Sequence, residues 1–405
     1  MSSMSITRCN FFGTAFLAAA MTLPSLQFAS AETPPERSVV SFKYLNYQDS
    51  QSGDTPVTAA MSRDRIAVNA LSVMGVAPIA GQWSIGVTLT DDSVSGASPA
   101  YHSSGFPVKK AHDTESGASG EIRHSVDLQL TRYFSRGTVT AGSSYSSESD
   151  YISRSCSLQG TLSTEDKNTT FSLGGSFEDD SVKLDAPNVI PSKKQVADEK
   201  KQVVAGLFGI TRVLTKEDIV QLDLGYSNGN GYFTDPYKDP DKRPRDRNST
   251  TVLTRWNHHF NETDGTARLS YRYYTDTFGI RAHTFGMEYV QPLPRGWTLT
   301  PLLRLYSQSE ADFYLAVSDA EKAHPETATQ PSAGTAYYTE DHRLSAFGAV
   351  TVGLKVSKQF NADWLVDVKL ERYEQRDEWS LNGKGDPGLA TFKARSIQVG
   401  LSRQF

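Results

Sequence analysis

The chain has 405 residues, with 41 basic and 46 acidic side chains and a formal charge of -5. That balance leaves no basic excess to displace counterions from phosphates, so no nucleic-acid partner is expected. The length would suit two or three soluble domains, but Gly (30), Tyr (18) and Phe (19) are plentiful while long apolar runs are missing beyond the N-terminus.

The N-terminal segment explains itself first. Arg8 precedes an apolar stretch over residues 11–23, Pro24 follows, and Ala29-Ser30-Ala31 places small residues where a signal peptidase reads them. Residues 1–31 therefore read as a cleaved signal peptide, and residues 32–405 as the mature chain. The stretch is too short to remain as a membrane span. Cys9 has no lipobox before it, which argues against lipoprotein processing. After cleavage Cys156 is the one cysteine left, so no internal disulfide is possible. In Ser-Arg-Ser-Cys-Ser-Leu it reads as a small wall residue, because no neighbouring base or helix terminus is present to make it a reactive thiol.

From residue 38 onward the pattern has period two. Val126, Leu128 and Leu130 alternate with Asp127, Gln129 and Thr131. The same holds for Val220, Leu222 and Leu224, for Val366, Val368 and Leu370, and for Ile397, Val399 and Leu401. Soluble sandwiches also alternate, so the connections must decide. Short turns are predicted at 78–82, 135–137, 164–167, 215–218, 261–265, 294–296 and 361–363. They take turns with polar, mostly long segments at 49–63, 92–120, 180–197, 227–247, 309–341 and 378–391, with shorter breaks near Asp150 and Thr277. Short turns on one rim and long loops on the other mark an outer-membrane barrel. The expected fold is all-β: a transmembrane antiparallel up-and-down β-barrel of about 16 strands, with short periplasmic turns and long extracellular loops. No later segment is apolar enough for a membrane helix, and only a closed barrel leaves no strand edge unpaired in lipid.

The aromatics agree. Trp83, Phe134, Phe260, Trp297, Phe360 and Trp364 flank the short turns, where amphipathic rings favour the membrane boundary. The chain ends on Phe405 after Leu401, Val399 and Ile397, an assembly signal of the kind read by the barrel assembly machinery. Arg403 departs from that pattern.

A barrel this wide encloses water. The alternation turns Asp223, Arg255, Asn257, His259, Arg268, Arg272, Glu288, Arg304, Lys369 and Glu371 inward as lumen-lining candidates. Such charges either set solute preference or form cross-strand pairs that satisfy the wall. The arginines suit carboxylate or phosphate solutes, though Asp223 and Glu288 stand nearby to neutralise them. His258 and His259 are adjacent in a strand, so they face opposite sides and cannot share a metal; no metal site and no cofactor are expected. No nucleophile–base pair or Gly-x-Ser-x-Gly elbow is present, so no enzyme is expected. Carboxylates cluster at the strand ends: Asp91-Asp92, Glu148 with Asp150, Asp179-Asp180, Asp276, and Glu310 with Asp312. They read as a solvated polar rim, with calcium as the alternative, since calcium-loop spacing is absent.

Several motifs carry a family resemblance. They are Asp92-Ser-Val-Ser-Gly-Ala-Ser-Pro99, Tyr226-Ser-Asn-Gly-Asn-Gly-Tyr232, Asp235-Pro-Tyr-Lys238, Arg272-Tyr-Tyr274, Gly279-Ile-Arg-Ala-His-Thr284, Ala311-Asp-Phe-Tyr314 and Leu344-Ser-Ala-Phe-Gly348. Together they resemble a family of bacterial exported proteins, the domain of unknown function three-five-seven-zero, over residues 38–405. The resemblance implies an outer-envelope β-rich protein with no assigned residues. Family members tend to accompany lipoproteins and envelope redox proteins, which implies a periplasmic redox protein or lipoprotein as partner.

Three functions are therefore carried forward. One is a porin-like channel for small hydrophilic solutes or ions. Another is a scaffold barrel docking a periplasmic redox protein or lipoprotein in electron transfer. The third is a receptor or adhesin using loops 92–120 and 309–341. In each the expected surroundings are outer-membrane lipid and lipopolysaccharide in a Gram-negative envelope.

Overall fold

The computed structural model describes residues 33–52, 64–96, 121–185, 198–236, 241–316, 334–381, 385–386 and 391–405. The predicted signal segment and most of the predicted loop at 92–120 lie outside the described residues.

Strands β1 (Val39–Ser52), β2 (Asp64–Ile79), β3 (Trp83–Gly96), β4 (Glu121–Phe134), β5 (Gly137–Ser147) and β6 (Tyr151–Ser163) run up and down in chain order. They continue as β7 (Thr169–Val182), β8 (Glu199–Val213) and β9 (Asp218–Gly231). After the two-residue β10 (Asp241–Lys242) come β11 (Asp246–Phe260), β12 (Gly265–Asp276), β13 (Arg281–Leu293) and β14 (Trp297–Gln308). A second short strand, β15 (Tyr338–Thr339), precedes β16 (Phe347–Gln359), β17 (Trp364–Arg376) and β18 (Thr391–Gln404). Every long strand pairs antiparallel with its neighbours, and β18 pairs with β1, so sixteen strands close into a barrel. The strands of 11–16 residues are long enough to cross a bilayer when tilted.

Alternation sorts the faces. On β1, Val40, Phe42 and Tyr44 are exposed on the outside, while Ser41, Lys43 and Leu45 between them are buried on the inside. The register carries that choice around the ring. Val40, Phe42 and Tyr44 lie beside Arg403, Leu401 and Val399 of β18, which in turn meet Trp364, Val366 and Val368 of β17. The outcome is an apolar belt in which Leu158 is 59% and Leu173 69% exposed. A belt of that kind is unstable against water and stable against hydrocarbon.

The predicted turns connect the strands on one rim, hereafter the turn end. There the aromatics clasp cations. Arg132 lies 5.2 Å from the Trp83 ring and 5.1 Å from Phe134. Lys358 lies over Trp297 and Phe360, and Arg403 lies 5.0 Å from Trp364 and 4.5 Å from Phe405. The departure at Arg403 thus has a physical reason: its guanidinium rests on two interfacial rings, where a cation snorkels to polar headgroups.

Candidate functional site in the bore and at its mouth

The register places every lumen-lining candidate on the face turned away from the belt. Three neighbouring rows cross β9, β11, β12, β13 and β14. The middle row reads Gln221, Arg255, Ser270, Gly286, Arg304; towards the loop end lies Asp223, Leu253, Arg272, Thr284, Tyr306; towards the turn end lies Ile219, Asn257, Arg268, Glu288, Leu302. His259 follows one row further, its Nδ1 3.2 Å from Thr266 Oγ1. His258 points to the other side and bonds Asp218.

Contacts among these residues are sparse. Arg268 approaches Glu288 at 3.9 Å, and Arg255 donates to the Gln221 carboxamide at 3.2 Å, whose own amide donates to Asp223. The side chains of Arg268 and Glu288 remain 43% and 38% exposed although they face inward. The seam sector is drier. Lys43, Asp367 and Gln398 are buried there, Lys355 approaches Asp367 at 3.8 Å, and Lys369 pairs with Glu371 at 2.9 Å. Gly400 stands between Lys43 and Asp367 in the register, and any Cβ on it would run into the Asp367 carboxylate. Lys43, Lys355 and Asp367 belong with the lumen charges. The alternation in their own segments was signal enough to find them.

A ladder of hydroxyls lines the turn end of the bore. Ser41 pairs with Ser402, Thr131 with Thr140, Thr138 with Thr161 and Ser163 with Thr170, each at 2.8 to 2.9 Å. Cross-strand hydroxyl pairs satisfy an inner wall without adding charge.

At the loop end the structure adds what the sequence did not predict. The described parts of the connections after β9 and after β14 meet through the pairing of β10 with β15. Arg243 donates to Asp241 and to Asp341, both at 2.7 Å, and all three side chains are at most 2% exposed. Arg343 donates to Asp235 at 2.6 Å and also to Asp341, while Thr339 donates its hydroxyl to Asp241. Beneath this latch lies an apolar cluster of Phe278, Ile280, Ala311 and Leu344, against which Phe233, Tyr274 and Phe313 pack. A cavity of about 240 Å³ separates Lys201, Arg247 and Tyr274 of the inner wall from Tyr232, Phe233 and Arg243 of the loop. Gly279 turns the chain between β12 and β13 at φ +90°, and a Cβ there would strike the Asp312 carboxylate.

Three of the rim carboxylates that the sequence groups are each paired with a cation from an adjacent strand. Asp92 accepts from Arg123 at 2.5 and 2.7 Å, Asp180 from Lys201 at 2.7 Å and from Tyr151, and Asp276 from Arg247 and the Tyr274 hydroxyl. No group of three or more His, Cys, Asp or Glu side chains among the described residues is placed to hold a metal ion. Beside the latch, the Tyr314 hydroxyl donates to Asp386 at 2.7 Å. Burial, then Asp386, pushes that phenol well above its usual range. Burial and the same carboxylate raise the Glu310 carboxyl. Burial raises Asp377 too, with repulsion from Glu378 and Asp386.

The sequence family described as "Protein of unknown function (DUF3570)" matches residues 13–395. The chain belongs to that family. Its match to DUF3570 starts upstream of the motifs that carry the resemblance. No curated protein matches the sequence. Among solved structures, this DUF3570 chain is similar to a bacterial polysaccharide outer membrane secretin, at 7% identity, TM-score 0.48, covering 90% of this chain and 98% of that one. A BenF-like porin from Pseudomonas fluorescens Pf-5 gives 9% identity and TM-score 0.44, covering 91% and 98%. OccD3 (OpdP) from Pseudomonas aeruginosa gives 10% identity and TM-score 0.41, covering 92% of each chain. The barrel architecture rests on the closed sixteen-strand ring itself.

Cys156 of this DUF3570 protein is exposed and sits opposite Ser143 and Phe177 in the outward register, on the apolar belt. It is a wall residue facing away from the bore.

Proposed function

We propose that the protein is an outer-membrane pore passing small hydrophilic solutes or ions, without chemistry of its own. One observation carries the reading: inward-facing ionic side chains at mid-barrel, Arg268 and Glu288, keep about two-fifths of their surface accessible while the opposite face of the same strands is apolar. Charged groups that stay wet inside a closed sixteen-strand cylinder need a water-filled bore, and barrels of this size leave one. In this reading the belt meets lipid, the loop end meets lipopolysaccharide, and Phe405 presents the chain to the barrel assembly machinery after export.

Purified protein reconstituted into planar bilayers is expected to give discrete conductance steps. Bilayers that stay sealed at every voltage and salt concentration, with protein demonstrably inserted, would overturn the proposal.

A further inference from the structure

Ser270 stands at the centre of a cationic cross on the bore wall. Arg268 and Arg272 flank it along β12, and Arg255 lies beside it on β11. On its other side is Gly286 of β13, followed by Arg304 of β14. Gly286 has no side chain, and a Cβ there would meet Ser270 Oγ at 2.7 Å. The floor between the guanidinium-bearing strands is therefore as low as backbone allows.

These cations differ from those at the mouth. Arg243, Arg247 and Arg343 are each held by a carboxylate. In the cross, Arg268 has Glu288 at 3.9 Å, and among the described residues Arg255, Arg272 and Arg304 make no ion pair. All four are exposed while facing the bore. Like charges this close repel one another, and the two carboxylates on the same rows, Asp223 and Glu288, leave the four arginines with an excess of positive charge. The far wall offsets little of that excess. Strand β3 lies eight places round the ring from β12. Its inward residues Thr88 and Thr90, with Ser72 of β2 and Ser125 and Gln129 of β4, are neutral. Asp127 is the mid-bore exception, and Asp92 is neutralised by Arg123.

We infer that Arg255, Arg268, Arg272 and Arg304 around Ser270 form an oxyanion-binding cradle in the bore, selecting solutes that carry carboxylate or phosphate groups. The guanidinium fork matches both groups bidentately, and the Ser270 hydroxyl adds a donor at the centre. The inference rests on the pore reading for its transport role, but binding itself does not require conductance.

The test has two arms. In planar bilayers under a potassium chloride gradient, the wild-type reversal potential is expected on the anion side, and inorganic phosphate or succinate should block chloride current. The combined variant Arg255→Gln, Arg272→Gln, Arg304→Gln should weaken that block roughly tenfold, the sum of three modest solvent-exposed charge contacts. The second arm is calorimetric titration of detergent-solubilised barrel with the same two anions, which does not depend on conductance. Loss of binding in the triple variant supports the cradle, even if bilayers stay sealed and the pore reading falls. Conductance without anion preference, together with no heat from either anion, overturns the cradle and leaves the pore standing. Undiminished block or binding in the triple variant also overturns it. Phosphate alone or succinate alone identifies which group the cradle takes. If the triple variant does not assemble, Arg304→Gln and Arg272→Lys replace it: the first should lose part of the affinity, and the second should keep anion preference while losing bidentate binding.

Discussion

At the scale of the residue, Asp341 is the hinge of the loop-end latch. Its carboxylate accepts from Arg243 and from Arg343, and also caps the short turn 342–344 by accepting from the Arg343 backbone N–H. Asp341→Ala would leave the buried Arg243 and the half-buried Arg343 short of their shared acceptor, which costs about 3–5 kcal/mol for a buried pair broken on one side. The loss stays local, because the strands keep their own ladders. Limited proteolysis should therefore cut within 309–346 while the barrel core keeps its heat-resistant mobility in electrophoresis; a protected loop would show that the latch holds nothing. A second contrast uses adjacent residues on opposite faces. Cys156 sits near the middle of β6 facing the belt, and Ser157 faces the bore between Gly142 of β5 and Ser176 of β7. Cys156→Arg should lower stability in liposomes by about 2–4 kcal/mol, and Ser157→Arg by far less, because one places charge in hydrocarbon and the other in water. Equal losses in a urea unfolding series would mean the faces are misassigned. At this scale legibility was mixed. Alternation is enough to turn Arg255 or Lys369 inward, but Arg243 and Asp341 meet across 98 residues and no local spacing announces them.

At the scale of the element, strands and turns were legible and the folded loops were not. A strand writes its period into its own residues, so Val220 to Leu224 declare their faces unaided, and the turn at Arg295 carries its own Pro-Arg-Gly. Strands β10 and β15 are two residues each and form only because distant connections meet, so they leave no periodic trace. The same meeting of connections sets up a response to acid. Glu310, from the β14–β16 connection, and Asp377, from the short turn after β17, both feel repulsion from Asp386, and Glu378 adds to the repulsion on Asp377. Both carboxyls are raised in the folded state from ordinary values of 4.5 and 3.8, Glu310 by burial and then Asp386, Asp377 by burial first. The folded mouth thus binds protons more readily than the opened one, so its stability rises as pH falls from the raised values towards the ordinary ones and is lost again as pH rises. Amide exchange of residues 310–314 should slow on mild acidification in the wild type. The slowing should shrink in Glu310→Gln, and an exchange rate indifferent to pH after correction for intrinsic chemistry would refute the contact.

For the whole molecule, everything depends on closure. A sheet of sixteen strands that stayed open would leave the ladders of β1 and β18 unpaired, and in hydrocarbon each unpaired peptide group costs several kcal/mol. The structure instead pairs Val39 to Ser52 with Gln404 to Thr391 along the full length of both strands. It ties the ends further, with Phe405 N–H donating to the Ser38 carbonyl at 2.9 Å and Arg37 donating to Asp363 at 2.5 Å. Ser41 and Ser402 face each other inside the bore with their hydroxyls 2.8 Å apart. In a Cys156→Ser background, the double variant Ser41→Cys, Ser402→Cys should therefore oxidise to an intramolecular crosslink between residues 361 positions apart, and the crosslinked chain should resist heat denaturation longer than its reduced form. Single variants should give neither monomeric crosslink nor added resistance. If the double variant instead forms only crosslinks between molecules, the first and last strands are not neighbours within one chain. The cylinder that separates a lipid-facing belt from wet arginines would then not exist.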